Sequence, residues 1–363
     1  VKYGKRDEFE VKSDEPFNGS PPLEVLCQSS ITPNNLFFSR NHGNIPAVDA
    51  AAYRLTISGL VDKPLAVTLD DLRRDFERVE VAATLQCAGN RREELMEVAP
   101  IPGELPWGAG AIGNATWGGW RLRDVLTAAG VQQSAKHVAF TGLDTISRQD
   151  KQFGFGGSVP LAKALSRDMV LLADTMNGEP LPQAHGYPLR AIVPGYIGAR
   201  SVKWLSHITV QAAPSDNYFQ QRAYKLYPHD MTAENVDWSR GIMLGPNTVN
   251  SVICVPYAGQ RVKAGRQTLR GYALGSEDNG IESVQVSGDG GGTWRRARIV
   301  SRNSTRFTWY LWEAELDLPP GDHELVVRAW DTDGYTQPEA VSDLWNFKGY
   351  ANNAWHRLRI TAE

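Results

Sequence analysis

The chain has 363 residues, 42% hydrophobic and 22% charged, with a formal net charge of −3. That balance suits an ordinary globular protein with one large core or two domains. It excludes a polycationic binder of nucleic acid or anionic membrane, and no apolar run is long enough to span a bilayer as a helix, so any anion site must come from a local cluster.

Residues 1–30 are charged and interrupted by Pro16, Gly19, Pro21 and Pro22, which predicts an irregular arm wrapping a domain. Alternation predicts a strand over 53–60, and Thr68 before a run with Leu69 and Leu72 predicts a capped helix over 68–76. An apolar run from Val79 leads as a strand into Cys87. Trp107, Trp117 and Trp120 cluster among glycines and read as packing. A helix over 122–129 closes at Gly130, and strands follow over 138–141 and 169–173, with a Gly-rich turn over 153–160, a short helix over 161–165 and a turn at Asn177-Gly178. After a link over 246–256 the pattern changes to alternating strands over 268–274, 281–287, 310–316 and 323–329, separated by Asp-Gly turns. That is a small antiparallel sandwich, immunoglobulin-like in outline.

The three cysteines, Cys27, Cys87 and Cys254, are far apart in sequence and form no CxxC, so zinc and iron–sulfur spacings are absent. Cysteine is often buried for packing alone. Cys87, however, precedes Ala88-Gly89-Asn90-Arg91-Arg92. Two neighbouring guanidiniums favour a thiolate and attract an oxyanion, so Cys87 reads as a reactive or metal-bound thiolate beside an anion pocket. Leu36-Phe37-Phe38-Ser39-Arg40-Asn41-His42 sets Arg, Asn and His at the edge of an apolar stretch. Residues 185–205 carry His185, Arg190, Arg200 and Lys203 in a glycine-broken run, a suitable donor set for a phosphate. The Gly-rich turn before residue 161 matches neither GxxxxGK[ST] nor GxGxxG, which excludes a nucleoside triphosphate or nicotinamide. Tyr224 can donate a hydrogen bond to an oxyanion without adding charge.

These motifs, in this order, resemble the sulfite oxidase family of molybdenum enzymes, which includes the molybdenum domain of plant-type nitrate reductase. The resemblance extends over nearly all of residues 31–361. It implies an α+β chain: an arm over 1–30, a mixed α/β molybdopterin-binding catalytic domain over 31–240, and an all-β immunoglobulin-like domain over 246–363 that forms a homodimer. It implies molybdenum held by molybdopterin and by the sulfur of Cys87. Arg40, Arg92, Trp107 and Tyr224 fall in the family's substrate pocket. Phe38, Arg40, His42, Ser158, His185, Arg190, Arg200, Ser201 and Lys203 fall among its cofactor contacts. The implied reaction oxidises sulfite to sulfate by oxygen-atom transfer and passes electrons singly to an external acceptor, a cytochrome c, or dioxygen in a plant-like protein.

No haem, flavin or nicotinamide domain accompanies these motifs, so a stand-alone molybdenum subunit of bacterial or plant type is expected. Its resemblance to secreted bacterial members, with a first residue other than Met, makes the periplasm the expected compartment. Two departures bear on the substrate. Ala223 stands where some members have an acidic residue, and residues 279–283 supply no arginine where the family draws a third substrate cation from its second domain. A nitrate reductase, or another oxyanion or sulfoxide oxidoreductase on the same cofactor, therefore stays open beside sulfite oxidation. Retention of Arg40, Arg92 and Tyr224 argues against a cofactor carrier or structural dimer that has lost its chemistry.

Overall fold

Separate apolar cores form in the first two thirds of the chain and in the last third, and the sheets around each follow from where hydrophobic residues recur. The computed structural model describes residues 2–148, 150–166, 170–301 and 305–363. In the first part, one mixed sheet runs in the order Gly156–Pro160, His137–Gly142, Leu205–Gln211, Leu55–Gly59, Leu65–Val67. Only the Leu205–Gln211 and Leu55–Gly59 pair is parallel. A second, antiparallel sheet runs Glu179–Pro180, Leu171–Met176, Ile112–Arg121, Arg78–Gln86. Apolar residues of both sheets meet in one core with helices Leu69–Asp75 and Leu122–Ala129.

Both helices are placed by local chemistry. Thr68 accepts from the Asp71 amide at 2.9 Å while the Asp71 carboxylate accepts from the Thr68 amide at 2.9 Å, a reciprocal cap worth about 1 kcal/mol. Helix Leu122–Ala129 buries Leu122, Val125, Leu126 and Ala129, one face at helical spacing, and stops at Gly130 with φ 72°.

Three sequence expectations need correction or completion. Strand Ile112–Arg121 pairs along the full length of Arg78–Gln86, yet its alternation is hidden by Gly113, Gly118 and Gly119. A Cβ on Gly113 would meet the Phe37 ring at 2.7 Å, and one on Gly119 would run into the Leu172 carbonyl, so close approach demands glycine there. The arm is not irregular throughout: Glu10–Asp14 pairs with Phe17–Ser20, and the second strand is buried. The apolar strand expected at 169–173 is Leu171–Met176, and Met169 lies outside the described residues.

The last third is β-rich. One sheet runs Asn250–Val255, Gly265–Leu274, Tyr310–Leu318, Arg298–Ile299. The other runs Arg261–Val262, His356–Ala362, Gly321–Asp331, Ile281–Ser287, Arg295–Arg296. Their facing side chains form a core that includes Trp312, Val284 and Leu325. Cys27 and Cys254, distant in sequence, fall in one apolar patch at the junction of the arm with this domain.

Candidate functional site

Cys87 follows directly on strand Arg78–Gln86, with 6% of its surface exposed. Its amide donates to the Ala111 carbonyl at 2.9 Å, and its sulfur accepts from the Gly89 amide at 3.4 Å. Asn90 fixes the turn that follows: its side chain accepts from the Ala111 amide at 3.0 Å and donates to the Tyr272 hydroxyl at 3.1 Å.

The two arginines do not act together, as their adjacency in sequence suggested. Arg91 adopts a left-handed backbone, φ 66°, which sends it away from Arg92. Its guanidinium is fully buried, forms a two-pronged pair with Glu94 at 2.7 Å, and donates to Asn250 at 2.8 Å and the Ala354 carbonyl at 2.7 Å. Burial alone would raise the Glu94 carboxyl, and Arg91 beside it holds it below the usual range. Arg91 is a rivet between the two parts of the chain. Arg92 lies over Gly89, donates to the carbonyls of Leu105 at 3.0 Å and Gly349 at 3.1 Å, and stacks 5.0 Å from the Tyr350 ring.

Across the cavity from this turn stand Arg40, His42 and Tyr224. Arg40 Nη2 is 3.2 Å from His42 Nδ1, and His42 Nε2 is 2.8 Å from the Tyr224 hydroxyl. A guanidinium can only donate, so Nδ1 accepts and the imidazole proton resides on Nε2. His42 therefore donates to the Tyr224 oxygen, and the hydroxyl proton is free for an anion. Burial, reinforced by Arg40, pushes the His42 pKa well below its ordinary value and keeps the ring neutral, while burial holds the Tyr224 hydroxyl well above its usual range. Tyr224 closes a single wide helical turn, Phe219–Ala223, of a kind frequent at functional sites.

Between these groups opens a cavity with about 710 Å³ of empty space, part of it continuous with solvent. Its lining includes Cys87, Arg40, His42 and Tyr224 together with Phe38, His185, Arg190, Ser201 and Lys203. Arg190 donates to the carbonyls of His185 at 2.8 Å and Ser201 at 3.0 Å, and burial brings its pKa down to about 9. Lys203 donates to the Asn41 side chain and to the Ala184 carbonyl at 3.0 Å, and burial depresses its pKa strongly. Asp144 is the acid among the lining residues, and burial raises its pKa. A buried set of cations with so little compensating charge suits a polyanionic ligand. Arg200 sits behind the lining with two nitrogens on the Leu244 carbonyl and Nη1 buried without a partner, directed at Gly157, where a Cβ would lie 2.7 Å away. That orphaned donor beside a glycine fits a phosphate-bearing group.

Four expected residues do not line the cavity: Arg200 lies behind it, Arg92 is buried between Gly89 and the Tyr350 ring, and Ser158 and Trp107 are elsewhere. The Ser158 hydroxyl accepts from the Ser215 amide at 2.9 Å and approaches His137 at 3.3 Å, outside the cavity lining. Trp107 is fully buried in the apolar cluster that also holds Cys87 and Phe38, with its indole N–H unpartnered, so it supports the cysteine from behind.

Sequence reasoning missed Lys5, Glu104 and Lys348. Lys5 reaches in from the arm and donates to the Phe37 carbonyl at 2.6 Å, the Asn34 carbonyl at 3.0 Å and His185 Nε2 at 2.7 Å, with burial pulling its pKa to about 7. As an ammonium its three protons match three acceptors, which leaves the His185 proton on Nδ1. Lys348, from the last third of the chain, lies 5.9 Å from the Tyr350 ring and pairs with Glu104. Tyr350 in turn stacks on Tyr224 at 5.2 Å, which puts the Lys348 ammonium one ring behind a cavity residue, in a chain whose residues 279–283 carry no arginine.

Residues 42–219 match the oxidoreductase molybdopterin binding domain, and residues 245–363 match the Mo-co oxidoreductase dimerisation domain. Mitochondrial sulfite oxidase of Homo sapiens is 42% identical over 97% of this chain, and the match covers 65% of that protein, so the chain spans about two thirds of its length. Sulfite oxidase of Arabidopsis thaliana is 38% identical over 97% of this chain and 93% of its own. The crystal structure of the sulfane dehydrogenase SoxCD from Paracoccus pantotrophus superposes with a TM-score of 0.81 at 28% identity, covering 99% of this chain and 91% of that one.

Proposed function

The chain belongs to the sulfite oxidase family of molybdopterin-binding oxidoreductases, and from that premise we propose that it oxidises sulfite to sulfate, SO₃²⁻ + H₂O → SO₄²⁻ + 2H⁺ + 2e⁻. The observation that carries this reading is the convergence of Arg40, His42 and Tyr224 on the cavity that Cys87 lines. The Cys87 sulfur would hold molybdenum, and Arg190, Lys203, Ser201, His185 and Arg200 would hold its pterin and phosphate. When bound, molybdenum on molybdopterin supplies the two-electron oxygen-atom transfer.

The chain's own residues bind and orient the anion. Arg40, Arg92 and Lys348 bring positive charge to bear on a small oxyanion, and the Tyr224 hydroxyl donates to it. Loss of one such positioned donor typically costs about 10²–10³ in rate. His42 keeps Tyr224 aligned as a donor, and Phe38 and Leu85 narrow the cavity on its apolar side.

Two electrons then leave one at a time to an external acceptor, for which a cytochrome c is the choice, with dioxygen the plant-like counterpart. The two facing β sheets of the last third support an immunoglobulin-like domain that pairs two chains as a homodimer. The periplasm is the proposed compartment. Turnover of sulfite with ferricytochrome c, set against nitrate with reduced viologen, tests the assignment. Sulfite should be strongly preferred, and preference for nitrate would overturn it.

A further inference from the structure

We propose that Glu104 is a resident counter-ion of the anion pocket, occupying Arg92 and Lys348 when no anion is bound and limiting how tightly an oxyanion is held. This rests on the reading of that pocket given above. Glu104 Oε2 lies 3.6 Å from Arg92 Nη1, and Glu104 Oε1 accepts from Lys348 Nζ. Both cations pack against Tyr350, which stacks on Tyr224 at 5.2 Å with a 20° tilt. The carboxylate is thus one aromatic layer away from the hydroxyl that faces the cavity. Only 13% of the Glu104 side chain and 2% of the Arg92 side chain are exposed, so solvent screens their charges weakly.

The hydrogen-bonding needs of Arg92 do not require this carboxylate. Its Nη1 already donates to the Leu105 carbonyl and its Nε to the Gly349 carbonyl, and 3.6 Å is an ion pair without a hydrogen bond. Lys348 differs: among the described residues Glu104 is its one hydrogen-bond acceptor. The loop Pro102-Gly103-Glu104-Leu105-Pro106 brings the carboxylate and the Leu105 carbonyl to Arg92 together, with Gly103 left-handed at φ 79° between two prolines that stiffen it.

The consequence is a matter of charge. Arg40, Arg92 and Lys348 alone would present three positive charges to a dianion, and Glu104 cancels one of them. Sulfite and sulfate are both dianions and differ by one oxygen, so a pocket with the full charge would retain product nearly as well as substrate. A fixed carboxylate weakens both uniformly, which raises the substrate concentration needed and lets sulfate go.

Sulfate titrated calorimetrically into the holoenzyme at low salt tests this without turnover. In Glu104→Gln the sulfate dissociation constant should fall about fivefold or more, and in Lys348→Gln it should rise by a similar factor. Glu104→Asp should stay within about twofold of the wild type, because the charge remains. Misfolding weakens binding, so tightening in Glu104→Gln cannot be an artefact of damage. Sulfate binding that is unchanged or weaker in Glu104→Gln, with the wild type binding, overturns the role of Glu104 and leaves the pocket intact. Tightening in Glu104→Asp equal to that in Glu104→Gln also overturns it, since charge would not be the cause. Absence of sulfate and sulfite binding in the wild type itself removes the pocket and the proposal with it.

Discussion

Replacing Gly89 with alanine should disable the pocket without replacing any charged group. The backbone at Gly89 is compatible with a side chain, but an added Cβ would lie 2.5 Å from Arg92 Nη2, 2.7 Å from Cζ and 3.0 Å from Nη1. Ordinary contact needs about 3.5 Å, so the guanidinium must retreat by about 1 Å. The stem is held on Gly349, where a Cβ would meet Arg92 Cγ at 2.6 Å, so the guanidinium must swing about that stem rather than withdraw with it. The retreat therefore stretches the bonds to the Leu105 and Gly349 carbonyls, and losing one charge-assisted bond costs about 1.5–3 kcal/mol. A displacement of that size at a positioning group costs about 10²-fold in kcat/KM. Steady-state sulfite oxidation with ferricytochrome c, alongside molybdenum content, is the assay. The expected result is a loss of about two orders of magnitude with metal content preserved, because Cys87 and the Gly89 amide are untouched. Arg92→Gln should fall in the same range. Kinetics within twofold of wild type would show that the position of Arg92 is immaterial to the reaction.

Arg91→Met should behave in the opposite way: breaking a buried pair that also ties Asn250 and the Ala354 carbonyl should cost about 3–5 kcal/mol of stability, measured by chemical denaturation. A stability change below about 1 kcal/mol would contradict the riveting role. Lys5→Met should weaken cofactor retention, read as molybdenum and acid-released pterin per chain after dialysis, because His185 loses the donor that fixes its tautomer; full retention would show that the arm does not serve the pocket. Stability should decline on acidification. Burial depresses the pKa of His42 and His185 well below 6.5 and that of His356 to about 4, so below 6.5 the unfolded chain takes up protons that the folded chain refuses. For His356 alone, the loss across that window amounts to about 3 kcal/mol. A melting temperature flat between pH 7 and pH 4.5 would refute the neutral-histidine assignment.

Much of this could be read from residue order because the relevant physics is local. Thr68 and Asp71 cap a helix within one turn, Gly130 ends another, and Cys87 terminates an apolar strand whose pattern is visible on its own. Strand Ile112–Arg121 was hidden because its glycines answer to the Phe37 ring and the Leu172 carbonyl, neighbours that appear only after folding. The division of labour between Arg91 and Arg92 depends on one left-handed φ that no spacing reveals. Ser158 is expected among the cofactor contacts from the family resemblance, yet it lies outside the cavity lining and its hydroxyl accepts from the Ser215 amide. Lys5 and Lys348 lie near the two ends of the chain and reach the site through contacts with His185 and Glu104, which no local pattern announces.

The account turns on the bond from Cys87 to the metal. Molybdenum K-edge X-ray absorption of the wild-type holoprotein and of Cys87→Ser reads that bond without reference to any substrate. One sulfur neighbour should disappear from the molybdenum shell in the variant while the pterin sulfurs remain. Identical sulfur shells in the two proteins would mean that the thiol at the end of strand Arg78–Gln86 does not touch the metal.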